Sequence, residues 1–327
     1  MLPLYKNFRS IIRREEFVKE GDLLLLGVSG GVDSMVLFDL LLQLQKEIDF
    51  SLAVAHVNYG LRGKESDAQE KLVKKFADQQ GLRCFIAKAP ALKEQNENFQ
   101  AAARDFRYHY FTEVAQEIGA NKVTTAHTKE DQVETILANL LRGSSLKGLA
   151  GMRPKRSLTE NISLLRPLLA ISKEELIAHA RQENIPFIED SSNASNKYSR
   201  NAIRHELLPV IAKLRDQSFE KIVDFGKEIR QLSDYLSCEA AEWLKKYGRD
   251  TKEGFWFPRP ALLKLPESLR YEILSQAIQK NLPSCQNLKR DHLLRCDQIC
   301  HSEKGEGVYH LPSEKKFVRS EDNLRIR

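Results

Sequence analysis

A short apolar run, Leu23-Leu24-Leu25-Leu26-Gly27-Val28, passes without a break into Ser29-Gly30-Gly31-Val32-Asp33-Ser34 and then into Met35-Val36-Leu37-Phe38-Asp39-Leu40-Leu41-Leu42. No other stretch restricts the fold as tightly. The first run has the length and bounds of a buried parallel strand, and the last reads as a helix packed against it. A strand, a glycine pair and a helix start gather free backbone N–H groups at the positive end of a helix, a geometry that binds phosphate. The glycines let the backbone approach an anion, and the two serines add hydroxyl donors. Asp33 is a carboxylate inside that anion-binding loop, repulsive unless Mg²⁺ lies between it and the phosphates. Its plainer reading is a helix N-cap. The segment has neither the Gly-Lys-Ser/Thr of a Walker A loop nor the spaced glycines of a dinucleotide fingerprint.

Strand and helix go on alternating to about residue 190. Ser51 to Val57 reads as a second strand that runs into the loop Asn58 to Lys64. Ser66 to Gln80 is an amphipathic helix closed by Gly81, and Arg83 to Ala87 a third strand. A long alanine-containing helix is expected from Asn98 to Ile118, ended by Gly119. A fourth strand, Lys122 to His127, and a helix from Asp131 to Arg142, ended by Gly143, come next. Leu164 to Leu169 supplies a fifth strand, and Ser172 with Glu175 makes a capping box for a helix to Glu183. The fold class is therefore α/β, a doubly wound and mostly parallel sheet with helices on both faces. Ligands of such sheets bind at the carboxyl ends of the strands, where the polar loops of this chain fall.

From about Asp216 the pattern changes. Phe219, Ile222, Phe225, Ile229, Leu232, Leu236 and Trp243 recur at three- and four-residue steps, one long amphipathic helix whose stripe is core. Helical stretches around Pro260 to Lys280 and Asn287 to His301 follow. Val308 to Arg327 reads as a small β-hairpin turning near Pro312-Ser313-Glu314. The chain of 327 residues thus divides into an α/β domain with the phosphate-binding loop, 1–215, and a smaller helical domain with a short β tail, 216–327.

A formal net charge of +6 suits a polyanionic partner. No apolar run approaches the roughly 20 residues that cross a bilayer, and the start, Met1-Leu2-Pro3-Leu4-Tyr5-Lys6, lacks a secretory pattern. A cytoplasmic protein without membrane contact is expected. The five cysteines, at 84, 238, 285, 296 and 300, include no Cys-x-x-Cys pair. Cys296 and Cys300, near His292 and His301, invite a zinc reading, but fit better as two small apolar thiols on a helix face.

Three further segments carry polar groups to the same strand ends. His56-Val57-Asn58-Tyr59-Gly60-Leu61-Arg62 closes the second strand, with His56 able to face a nucleotide. Ala101-Ala102-Ala103-Arg104-Asp105-Phe106-Arg107-Tyr108 sets Arg104 and Arg107 at i, i+3 on one helix face, two guanidinium groups that suit a polyphosphate or an RNA backbone. Ala126-His127-Thr128-Lys129-Glu130-Asp131-Gln132-Val133-Glu134-Thr135 runs from the fourth strand into its helix. His127 is placed to contact the nucleotide, and Asp131 to share a metal with Asp33 or to orient an amine. Each has a plain alternative, a satisfied core histidine and an N-cap.

The six-residue loop resembles the pyrophosphate loop of the ATP pyrophosphatase (PP-loop) superfamily, whose members split ATP between the α- and β-phosphates and adenylate a carbonyl oxygen. Taken in order, the segments resemble the tRNA(Ile)-lysidine synthase family. They are joined by Asp190-Ser191-Ser192-Asn193 and by Tyr198-Ser199-Arg200-Asn201-Ala202-Ile203-Arg204. The resemblance is specific from about residue 20 to 215. Three positions depart from it. Tyr59 stands where the family usually has a second histidine, Thr128 replaces the second member of its His-His pair, and Glu130 replaces the first of two aspartates. The extra C-terminal domain of longer members is expected to be missing.

The resemblance implies a ligase with ATP as substrate, Mg²⁺, free L-lysine and an isoleucine tRNA whose anticodon begins with cytidine. Residues 1–215 would catalyse and 216–327 would recognise the tRNA. Ser29, Gly30, Gly31, Val32, Asp33, Ser34, His56 and His127 would hold ATP, Asp33 and Asp131 the metal, and Asp33, Asp131 and Arg104 would be catalytic. Arg107, Lys197, Arg200 and Arg204 would bind tRNA, with Tyr198 available for stacking. Asp131, Glu134 and Glu130 are candidates for receiving the proton of the lysine ammonium, whose free pKa is about 10.4. A homodimer is left open. Two rival readings are a tRNA thiolase of the same superfamily, which would need a cysteine pair, and a catalytically silent RNA-binding protein on the same scaffold.

Overall fold

The computed structural model describes residues 3–60, 63–89, 99–189, 202–252, 254–281, 288, 290–302, 307–312 and 315–327. They fall into two compact units. The first comprises Met1–Ala138 and Gly151–Val223, the second Asn139–Ala150 and Asp224–Arg327.

In the first unit, β1 (Leu23–Gly27), β2 (Ser51–Asn58), β3 (Cys84–Lys88), β4 (Lys122–Thr124), β5 (Lys155–Ser157) and β6 (Ser163–Leu165) form one sheet in the order β3-β2-β1-β4-β6-β5. All neighbours are parallel except β5 with β6. The mostly parallel, doubly wound sheet expected from the alternation is present. β5 was not readable, because Lys155-Arg156-Ser157 has no apolar pattern and is a strand only through its pairing with β6.

Burial on both faces explains the leucine run. Along β1, Leu24 and Leu26 join the core that packs against helices α1 (Pro3–Arg14), α2 (Val32–Leu44) and α7 (Lys173–Gln182), while Leu25 joins the core on the opposite face. β2 alternates the same way, Leu52 and Val54 to the first core, Ala53, Ala55 and Val57 to the second. A period of two on a strand covered from both sides favours apolar residues at every position, and the buried polar residues of β2, His56 and Asn58, fall at its carboxyl end. The second face is closed by Phe111, Val114 and Ala115 of α4 (Phe99–Ile118). Gly27 is required by that packing, since a Cβ there would lie 2.5 Å from the Phe111 ring.

Helix α1 was not expected from sequence. Its buried side chains, Leu4, Tyr5, Phe8, Ile11 and Ile12, follow helical spacing behind a proline at the first position, where its missing N–H costs nothing. The helix stops α3 (Lys64–Gln79), α4 and α5 (Lys129–Leu141) end as predicted, with Gly81, Gly119 and Gly143 at φ +67, +74 and +74. Ser172 caps α7 through Glu175 in both directions, as its spacing predicts. A wider helical turn, Ile203–Leu207, leads into the helix Leu208–Leu214. Ile203 and Leu208 are buried with Val133 of α5.

The second unit contains the short helix α6 (Leu146–Leu149), the long helix Ser218–Tyr247, most of which lies in this unit, and the helices Arg259–Leu263, Glu267–Asn281 and Arg290–His301. The tail is more than a hairpin. β9 (Gly307–His310) and β10 (Lys316–Arg319) pair as expected, but they belong to a five-stranded antiparallel sheet ordered β7-β8-β11-β10-β9, with β7 Arg249–Thr251, β8 Gly254–Pro258 and β11 Asn323–Ile326. Ser313 and Glu314 of the predicted turn lie outside the described residues. Cys296 and Cys300 are fully buried in this core among Phe257, Ile273 and Phe317, and burial pushes the Cys296 thiol up to about 12. They are apolar packing groups. Among the described residues no cluster of three or more His, Cys, Asp or Glu is arranged to hold a metal, and no helix is long and apolar enough to cross a membrane.

Candidate active site

β1 is central, with β2 and β3 to one side and β4, β6 and β5 to the other. The chain leaves neighbouring strands β1 and β4 in opposite directions, so a crevice opens past their carboxyl ends. The loop Ser29–Ser34 and the segment His127–Asp131 are therefore neighbours through topology. Asp33 and Asp131 stand in the first turns of α2 and α5, where helix dipoles favour negative charge.

The loop after β1 is held by its own serines. Ser34 Oγ accepts from the Ser29 N–H at 3.1 Å and donates to the Gly31 carbonyl at 2.9 Å, and Ser29 Oγ accepts from the Gly31 N–H at 3.3 Å. Gly30 takes φ +90, a conformation glycine adopts without strain. Gly31 is the N-cap of α2 and brings no side chain to the cap, so the N–H groups of the first turn have no intrahelical acceptor. Behind α7 the chain returns to this loop, with the Ile188 N–H bonded to the Gly30 carbonyl at 3.0 Å.

Asp33 Oδ1 is buried and has no hydrogen-bond partner among the described residues. Burial above all pushes its carboxyl up to about 6. Lys173 and Arg204 oppose that rise, while Asp131 and Glu130 add to it. A buried carboxylate oxygen without a donor is costly unless a cation arrives.

Asp131 is not a plain N-cap. Thr128 caps α5, with reciprocal bonds: the Thr128 N–H donates to Asp131 Oδ2 at 2.9 Å and the Asp131 N–H to Thr128 Oγ1 at 3.5 Å. Thr128, at the position of a family histidine, is thus a buried helix cap. Arg204 bridges the acids of α5, reaching Asp131 Oδ1 at 2.9 Å and Glu134 Oε2 at 2.7 Å. Glu130 accepts from the Lys173 N–H at 3.0 Å, tying the start of α5 to that of α7.

His56 donates from Nδ1 to the Val28 carbonyl at 2.8 Å, the only role a carbonyl partner allows. Burial holds its imidazole below the ordinary histidine range, so Nε2 is an unprotonated acceptor at neutral pH, buried and without a partner among the described residues. Its neighbour Tyr59 donates to the Ala103 carbonyl of α4 at 3.1 Å. His127 is bonded through Nδ1 to Thr125 Oγ1 at 3.0 Å. Its pKa falls to about 4, through burial first; Asp131 resists, and Arg166, Arg107 and Arg104 deepen the shift.

Of the residues expected to line the site, Ser29 to Ser34, His56, Arg104, Arg107, His127, Asp131 and Arg204 are on the first unit, with Asp33, Asp131 and Arg204 in one electrostatic cluster. Lys197, Tyr198 and Arg200, with Asp190 to Asn193, Leu61 and Arg62, lie outside the described residues. Sequence reading missed Lys173, hidden in a cap, and Arg166, whose sign was a charge directly after the apolar strand β6.

The PP-loop domain family matches residues 4–211. The tRNA(Ile)-lysidine synthase of Thermosipho africanus is 36% identical over 239 residues, 72% of this chain and 55% of that protein, so the chain spans little more than half of that relative. The Geobacillus kaustophilus protein of the same name is 31% identical across 96% of this chain and 68% of its own length. The Synechococcus protein of that name is 30% identical across 99% and 97%. Among solved structures, the U34-tRNA thiolase NcsA from Methanococcus maripaludis with its 4Fe-4S cluster aligns with a TM-score of 0.60, over 69% of this chain and 78% of that one. At 19% identity the likeness speaks for the fold alone.

Proposed function

The chain belongs to the tRNA(Ile)-lysidine synthase family of PP-loop proteins, and on that premise we propose that it ligates L-lysine to C2 of the first anticodon cytidine of an isoleucine tRNA, consuming ATP. The cytidine C2 oxygen attacks the α-phosphate and pyrophosphate leaves. The ε-amine of lysine then displaces AMP, giving lysidine.

The observation that carries the reading is the pairing of a helix N-terminus without a side-chain cap and a carboxylate at Asp33 whose buried Oδ1 has no hydrogen-bond partner among the described residues. The amides of Val32 to Ser34 suit the α- and β-phosphates, where charge develops as pyrophosphate departs. Asp33 Oδ1 fits a hard divalent ion, and a site of one or two carboxylates plus phosphates is the usual mode for Mg²⁺. When bound, Mg²⁺ would neutralise developing phosphate charge. Asp131, whose oxygens are held by Thr128 and Arg204, adds its charge to that site. The acids Asp131, Glu134 and Glu130 suit the lysine ammonium, which must shed a proton before it attacks. Arg204 bridges two of them, and a cationic amine would compete for the same oxygens. His56 offers Nε2 as an acceptor to an N–H or O–H of the nucleotide.

A sulfurating reading has less support, because Cys296 and Cys300 are buried packing groups in the second unit. Pyrophosphate release in the presence of tRNA, with and without lysine, tests the proposal. Lysine-dependent release supports it. Release that follows a sulfur donor instead, or no release at all, overturns it.

A further inference from the structure

Three arginines meet around one tyrosine in the first unit, and a fourth is its neighbour in the chain. Arg104 of α4 lies over the Tyr108 ring, its guanidinium carbon 5.6 Å from the centroid, and Arg156 of β5 lies over the same ring at 5.0 Å. Arg166, directly after β6, donates from one terminal nitrogen to the Tyr108 hydroxyl at 3.5 Å and from the other to the Arg153 carbonyl at 2.7 Å. Arg107 stands one residue before Tyr108, and its charge is felt at both Tyr108 and His127. The side chains grade from solvent inward: Arg104 is exposed, Arg107 and Arg156 are half-buried, and Arg166 is 2% exposed.

What the group lacks is an acid. Among the described residues no carboxylate pairs with any of the four, although 45 Asp and Glu are available in the chain. Arg166 is lowered from the ordinary arginine range by burial, and the one group resisting that loss is the Tyr108 phenol. The Nε atoms of Arg107 and Arg166 are buried without partners among the described residues. Natural cores rarely leave a buried guanidinium without a carboxylate, because the uncompensated charge is costly. Concentrated positive charge with vacant donors is the expected form of an anion site awaiting its ligand.

We propose that Arg166, Arg156, Arg107 and Arg104, arranged around Tyr108, form a subsite for a backbone phosphate of the RNA, beside the nucleotide to be modified and apart from the triphosphate loop. This deepens the function proposed above and rests on it. The shared chemistry is an oxyanion, which ATP or the lysine carboxylate also carries, but two features favour RNA. The triphosphate already has the amides of α2, and a single carboxylate needs one guanidinium, not four. The cluster also opens to solvent at Arg104 and interleaves basic groups with an aromatic ring, the pattern single-stranded RNA exploits.

The test uses the full chain and a fluorescent anticodon stem-loop RNA, with affinity read by anisotropy across a salt series and no ATP present. Arg156→Ala is the main variant, because Arg156 is half-buried on an edge strand, and Arg166→Gln is the second, with circular dichroism to check folding. Arg156→Ala should weaken RNA binding about tenfold and remove about 0.7 from the slope of log affinity against log salt, the share of one single-strand phosphate. KM for ATP and for lysine should stay within about twofold of wild type. An unchanged slope overturns the proposal, as does a raised KM for ATP or lysine without loss of RNA affinity. If wild type binds the stem-loop but makes no lysidine, the functional reading fails instead, and the salt slope of Arg156→Ala still decides this subsite.

Discussion

Two groups of charges converge on His127, and they are built in opposite ways. The acidic group has Asp33, Asp131 and Glu130 in the first turns of two helices and Glu134 one turn further along the second, and it is internally compensated by Arg204 and by Lys173. The basic group, Arg104, Arg107, Arg156 and Arg166, lies along one helix and the ends of two strands, and its internal partner is a phenol. An acid already paired with arginine can exchange that partner for a metal or an ammonium at little net cost. A guanidinium cluster without an acid is left to find its counter-charge outside the protein. The two groups therefore suit different ligands, small cations for one and a polyanion for the other.

The largest break in this contrast comes from Asp33→Asn. Removing the carboxylate that suits the metal should lower turnover by about a thousandfold or more, while the fold survives. The folded protein should in fact gain stability. The Asp33 carboxyl stands at about 6 against an ordinary value of 3.8, so the native state holds the proton more tightly than the unfolded chain. The resulting penalty is absent below about pH 4, grows as pH rises to about 6 and is constant above that. At about 1.4 kcal/mol per unit, the shift of 2.2 (6 minus 3.8) corresponds to an upper bound of about 3 kcal/mol. Thermal melts of the two proteins should coincide near pH 4 and separate by pH 7. A variant that keeps full turnover, or melts that separate only in acid, would remove Asp33 from the acidic group.

Gly27→Ala disturbs the basic side selectively, because its new methyl would meet Phe111 on the helix that carries Arg104, Arg107 and Tyr108. Overpacking of this kind costs about 1–3 kcal/mol, read as a lower denaturation midpoint with an unchanged m-value. Adding Phe111→Leu should return part of the loss. If the double variant is no better than the single, the glycine is there for another reason.

Arg204→Met sharpens the acidic side. Arg204 is one of two cations holding the Asp33 carboxyl down, so its removal should raise that pKa. The acid limb of the pH profile of kcat/KM should then move to higher pH, by about one unit or less. Unaltered limbs combined with a shallower salt dependence of RNA binding would move Arg204 from the acids to the RNA-facing group.

The acidic side was largely legible in the sequence and the basic side only half so. Asp33 and Asp131 announce themselves because their chemistry is local: a carboxylate within a strand-to-helix loop is informative wherever it occurs. Arg104 and Arg107 were readable from their i, i+3 spacing. Arg156 and Arg166 were not, since they join Tyr108 only because β5 folds back on β6 at the end of the sheet, and β5 has no pattern of its own. The same limit hid β8, whose register is set by β11 about 70 residues later (Phe255↔Ile326), and with it β7, which pairs with β8 alone. The local signals at Ser172, Gly81 and Gly119 were read correctly because a cap is decided within four residues.

The finest discrimination uses His127 itself as a reporter. Its imidazole, at about 4, is neutral at physiological pH, chiefly through burial, with Asp131 pulling the pKa up and Arg166, Arg107 and Arg104 pulling it down. Asp131→Asn removes an attractive charge and should lower the value further; Arg107→Met removes a repulsive one and should raise it. Asp131 acts as the larger influence, so its variant should shift more, though each change should stay within about one unit. NMR titration of labelled histidine ring signals reads both directly, and neither needs substrate or turnover. Shifts of opposite sign would place the imidazole between the two fields. Shifts of the same sign, or none for Arg107→Met, would mean that burial alone sets the histidine and that the basic group lies electrically apart from the acids.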